Sequence, residues 1–140
     1  MIAEADPVEV VRALWQRMQA RDWRGARALL HDDAVLHWWT SGERIEGGDG
    51  IVRVNEIYPE GWTIHVLDVA ARLDGRVQAW VRVDHPPNRF FANSMVSVID
   101  GRIRTIDECW GTFEEPPAWR SAASVPGWSR FDIARKEPRA

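Results

Sequence analysis

Glu108 stands two residues after Ile106 and two before Trp110, inside a stretch, 101–110, that reads as the last strand of the chain. Residues two apart on a strand share a face, so this carboxylate sits among large apolar side chains. Such a group is costly unless paired, and is therefore either a satisfied structural ion or the working group of a pocket. Arg82-Val83-Asp84 supplies a second set, because Arg82 and Asp84 share a strand face with Trp80. If that face meets the Glu108 face, one guanidinium lies between two carboxylates. Two close carboxylates resist ionising together, so one pKa rises while Arg82 holds the other down. One acid and one base at neutral pH is what general acid–base chemistry requires. On an epoxide, one carboxylate would activate water while the other protonates the leaving oxygen; on a ketone, the pair would move a proton through an enol. The competing reading is an Arg–carboxylate bridge that only orders the sheet. A third arrangement puts Asp84 at the strand end beside His85 and Pro86-Pro87, leaving Glu108 with Arg82 alone.

The elements that must position these groups follow from local signals. Asp6-Pro7 opens a first helix, with Val8, Val11, Leu14, Trp15 and Met18 at helical spacing. Residues 23–30 read as a short second helix and 34–40 as a strand. A polar loop, 41–48, follows, and Asp49 caps a third helix that ends before Pro59-Glu60-Gly61. The rest is β: strands 62–72 and 77–85 flank an Asp74-Gly75 turn, and 90–99 and 102–110 flank Asp100-Gly101. Helices first and a meander of long antiparallel strands afterwards predict an α+β fold, with helices covering one face of a bent sheet. A single domain is expected, with a core at about 7–115 and a C-terminal strap over 116–140 anchored by Trp119, Trp128, Phe131 and Ile133.

This order, with Leu29-Leu30-His31-Asp32-Asp33-Ala34 before the first strand and Asp100-Gly101-Arg102-Ile103 leading into the last, resembles the nuclear transport factor 2-like superfamily, most closely its SnoaL-like members. The resemblance implies a cone, a curved antiparallel sheet wrapped around helices with a central pocket, often in homodimers. The superfamily holds isomerases, cyclases, epoxide hydrolases, dehydratases and non-catalytic binding domains. The positions of the ketosteroid isomerases' base, tyrosine and protonated aspartate hold Trp38, Leu14 and Ser94, which argues against that reaction. SnoaL-like cyclases place an acid/base Asp near Glu108. Limonene-epoxide hydrolases offer Arg-x-Asp and a last-strand Asp, matched by Arg82-Val83-Asp84 and Glu108, but their water-positioning Tyr and Asn fall on Leu36 and Trp38.

Nine tryptophans suit cavity walls as well as a core. Trp15, Trp38, Trp80, Ser94 and Trp110 are the candidate pocket residues, with Asn55 and Tyr58 near the cone's mouth. Capping and loop packing explain Asn55 and Tyr58 equally well. The four histidines lack metal-motif spacing, so no metal is expected, and no nucleotide or nucleophile-elbow motif implies a cofactor. A net charge of -3 argues against nucleic acid or an anionic membrane as partner, and no apolar run reaches membrane-span length. The start lacks signal-peptide features and Cys109 is alone, so a cytoplasmic location is the expectation. The partners expected are a small apolar organic ligand and a second copy of the chain. The homodimer would cover an outer face assigned to Val77, Ala79, Val81, Val83, Phe91 and Met95. Enzyme and non-catalytic binding domain both remain open from the sequence.

Overall fold

The computed structural model describes residues 5–134. Three helices, α1 (Pro7–Gln19), α2 (Trp23–Ala28) and α3 (Gly48–Glu56), are interleaved with six strands. These are β1 (Leu30–Trp38), β2 (Glu43–Glu46), β3 (Thr63–Ala71), β4 (Val77–His85), β5 (Asn88–Ile99) and β6 (Arg102–Thr112). They form one curved, unclosed sheet in the order β2-β1-β6-β5-β4-β3.

Local chemistry explains most of these boundaries. Asp6 caps α1 by accepting from the Val8 N–H at 2.9 Å, with Pro7 already in the first turn. Asp22 caps α2 by accepting from the Gly25 N–H. The β5–β6 turn places both Asp100 (φ 52) and Gly101 (φ 76) in the left-handed region, as a two-residue hairpin needs. Two expectations change. Asp49 does not cap α3: Gly47 occupies the cap without a side-chain bond, and Asp49 instead accepts from Arg27 at 2.7 Å. Within the expected loop 41–48, Glu43–Glu46 forms the edge strand β2.

One junction is parallel. β1 pairs with β6 in that sense, placing Leu36 opposite Ile106 and Trp38 opposite Glu108. The remaining pairings are antiparallel. Register shifts between Val66 and Asp68, and between Ser97 and Val98, add bends that curl the sheet toward its helices.

The concave face holds the core. Val10, Val11, Leu14 and Trp15 of α1 are buried with Val77, Ala79, Val81, Val83, Ala92, Val96 and Ile106. The Val77–Val83 row therefore points inward, not outward, and the apolar outer surface expected of it does not exist. Burying those side chains stabilises by roughly 1.5–3 kcal/mol each for the valines, more than the sheet would gain by turning Arg82 inward instead. Phe91 and Met95 do lie on the convex face, half-buried.

Candidate functional site

Three sheet neighbours converge on Glu108. β5 sets Ser94 opposite it and β1 sets Trp38 opposite it, while Trp110 follows two residues on along β6. All three donate. Ser94 Oγ lies 2.6 Å from Oε2, and the indole N–H groups of Trp38 and Trp110 lie 3.0 and 2.7 Å from Oε1. Glu108 is only 6 % exposed. Burial pushes its pKa above the ordinary glutamate value of 4.5, and the three hydrogen bonds, which favour the charged form, only partly offset it. The positions that the resemblance gives to two isomerase carboxylates, 38 and 94, thus carry neutral donors to a single carboxylate at 108.

Over this cluster opens a cavity of about 360 Å³. Trp15, Met18 and Trp62 form its buried walls; Trp38, Trp110, Ile64, Val83 and Phe90 extend them. Thr40, Ser41 and Tyr58 are exposed at its rim. A cavity of this size and apolarity, with few polar groups, is the usual form of a small-molecule site. A smaller void of about 30 Å³ touches Glu108 and shares Trp15, Met18, Trp38 and Asn55 with the cavity. It is large enough for a water-sized group and too small for an organic ligand.

The polar groups around the cavity are anchored. Asn55 spends its amide N–H on the Ile51 carbonyl at 2.8 Å, leaving its oxygen for the cavity. Arg21, at φ 59, stacks on Trp62 with its guanidinium 3.3 Å from the ring centroid. Among the described residues, Trp62 Nε1 is the buried polar side-chain atom without a partner. Such groups are rare in folded proteins.

Arg82, Asp84 and Trp80 lie elsewhere. Alternation along β4 puts them on the convex face, opposite to Ala79, Val81 and Val83. Arg82 meets Asp84 in two parallel hydrogen bonds of 2.9 and 3.1 Å and donates to the Ile133 carbonyl of the C-terminal segment at 2.7 Å. Burial pushes the Asp84 pKa up, but Arg82 first, then His65 and Arg89, bring it below the usual aspartate value. Trp80 is 55 % exposed. The expected meeting of Arg82 with Glu108 is thus overturned, because the two groups stand on opposite faces of one sheet. The expected Trp80 wall falls with it. Trp15, Trp38, Trp110, Asn55 and Tyr58 do line the cavity, whereas Ser94 does not and instead donates to Glu108.

Trp62 and Ile64 lie in the expected strand 62–72, Thr40 ends the expected strand 34–40 and Ser41 opens the expected loop 41–48, and no local signal gives any of them a place at the cavity. His85 was named only as a neighbour of Asp84. Its partner Tyr58 lies 27 positions away, beyond any local spacing signal. Among the described residues no three His, Cys, Asp or Glu side chains gather to hold a metal ion. No helix there is long and apolar enough to cross a membrane.

Comparison with known proteins places this geometry. The family model of the SnoaL-like domain matches residues 11–106, ending just before Glu108. No curated protein sequence matches the chain. A protein from Kribbella flavida assigned as a ketosteroid isomerase superposes with a TM-score of 0.79 at 22% identity, covering 94% of this chain and 95% of that one. An NTF-2 like protein of unknown function from Burkholderia xenovorans gives 0.71 at 20% identity, covering 86% and 94%. An LEH-like epoxide hydrolase from M. tuberculosis gives 0.63 at 21% identity, covering 75% and 78%. These likenesses agree on the cone-shaped fold, and the chain belongs to the SnoaL-like domain family of NTF2-like proteins.

Proposed function

We propose that the protein binds a small, largely apolar organic molecule in the 360 Å³ cavity, and that Glu108 transfers a proton to or from it. The supporting observation is the carboxyl group beneath an aromatic cavity, dry enough for its pKa to rise, yet held in one orientation by Ser94, Trp38 and Trp110. A carboxyl with a raised pKa is a proton donor closer to neutrality than a free one, which suits isomerase, cyclase or hydrolase chemistry. Arg82 and Asp84 have no part in this reading. Glu108 works as a single acid/base group, and the small void beside it offers a place for a water-sized relay.

A second reading is a binding domain without turnover. It draws on the walls of the larger cavity, which include Trp38 and Trp110 but not Glu108, and on the low exposure of the carboxyl. In that case Glu108 serves only to fix Trp38 and Trp110 as walls. Thermal shifts against terpenoid epoxides, steroids, aromatic polyketides and aromatic acids, followed by product analysis on any hit, separate the two. Binding raises the melting temperature by mass action. Product formed by wild type and not by Glu108→Gln supports the enzyme; equal binding with no product supports the binding domain. If none of the four classes stabilises the protein, the ligand-site proposal fails.

The homodimer also belongs here, on a different surface from the one first expected. Trp80 and Trp39 are exposed, and alternation sets Trp80 with half-buried Phe91 and Met95 on the convex face. A second copy would cover them. Sedimentation of a monomer at micromolar concentration would count against it.

A further inference from the structure

At the cavity rim, Tyr58 Oη lies 2.8 Å from His85 Nδ1, with the two rings edge to face and 5.1 Å apart. On the far side of the imidazole, Nε2 lies 3.1 Å from the Glu60 carbonyl oxygen. A carbonyl only accepts, so Nε2 carries a hydrogen. In the neutral ring Nδ1 is then a lone pair, and the Tyr58 hydroxyl must donate to it.

This arrangement is held from the backbone. Glu60 is pinned by Arg21, whose Nε and Nη2 each reach its carboxylate at 2.9 Å, while Nη2 also reaches the Trp62 carbonyl at 2.8 Å. Gly61, at φ 115, lets the chain pass so close to His85 that a Cβ would stand 3.3 Å from the ring. The imidazole therefore has a fixed tautomer, and the hydroxyl of Tyr58 a fixed direction.

With its only hydrogen committed to His85, the phenol offers the cavity lone pairs and no donor. We infer that Tyr58 and His85 form a ligand-selecting pair: with the phenolic hydrogen held by His85, it takes a small apolar molecule carrying a hydroxyl donor in preference to one carrying only a carbonyl acceptor. The inference rests on the cavity being the ligand site, as proposed above.

Calorimetry on the full chain tests this with three naphthalenes of similar size: 2-naphthol, its methyl ether, and 2-acetylnaphthalene. Wild type should bind naphthol about fivefold to tenfold more tightly than the ether, the worth of one hydrogen bond. Tyr58→Phe, at an exposed position, should keep the fold and erase that preference. His85→Phe, which removes the acceptor and frees the phenolic hydrogen, should move the preference toward the ketone by a similar factor. A naphthol preference that survives Tyr58→Phe or His85→Phe overturns the pair and leaves the cavity reading intact. Equal affinity for all three in wild type does the same. Failure of all three to bind overturns the cavity reading and the pair together.

Discussion

Two carboxylates that looked alike in the sequence have opposite surroundings in the fold. Asp84, on the convex face, is held by Arg82 in two hydrogen bonds, with the Arg89 guanidinium 3.9 Å and the His65 imidazole 3.1 Å away. Glu108, on the concave face, touches only neutral donors. The first is thereby held ionised and the second is pushed toward its neutral form. Charge partners make a carboxylate a fixture of the sheet. Burial with neutral partners makes it a group whose proton can be moved.

The contrast is broken most severely by substitution at Glu108. Glu108→Gln keeps the acceptor for the two indoles and loses the titratable proton, so turnover of any substrate found should fall by about 10²-fold or more, with ligand affinity little changed. Steady-state rates and calorimetry on the same variant read both quantities. At Asp84 the expected result is the reverse. Asp84→Ala strands the Arg82 guanidinium, 7 % exposed, and should cost about 3 kcal/mol in denaturant unfolding without altering the cavity.

The pH dependence of stability should carry opposite signs at the two sites. A carboxyl whose folded pKa is raised binds its proton more tightly folded than unfolded, so its contribution is present below 4.5 and lost as pH rises toward the raised value. Wild type should therefore lose melting temperature relative to Glu108→Gln as pH climbs from that point. Asp84, lowered from 3.8, contributes above that value and loses it as pH falls. Wild type should converge on Asp84→Asn only in acid. Parallel curves for both variants would remove the distinction. A smaller effect is expected at Trp110→Phe, which deletes a hydrogen bond of about 1 kcal/mol and should raise the Glu108 midpoint further.

The sequence carried the helices and hairpins because their signals are local: Asp6-Pro7 at a helix start, Asp100-Gly101 at a turn. β2 was missed because Glu43-Arg44-Ile45-Glu46 is an exposed edge with no apolar alternation to mark it. The parallel β1–β6 pairing joins residues 70 apart, Trp38 and Glu108, and no turn announces it. The site suffered from a subtler limit. Two-residue spacing says which side chains share a face of one strand, but not which face of that strand meets the core. An inward Arg82 face would send Val77, Ala79, Val81 and Val83 outward, and burial of that apolar row outweighs one salt bridge. Glu108 was legible because its neighbours at 106 and 110 are both apolar. Its real partners, Ser94 and Trp38, emerge only from register.

The most direct test of the account is an NMR titration of the indole N–H signals of Trp38 and Trp110. Both hydrogens point at the same carboxylate oxygen, so both signals should shift together as Glu108 gains its proton. The account predicts a shared midpoint above 4.5, absent in Glu108→Gln. A midpoint at or below that value, or two indoles that titrate independently, would contradict it.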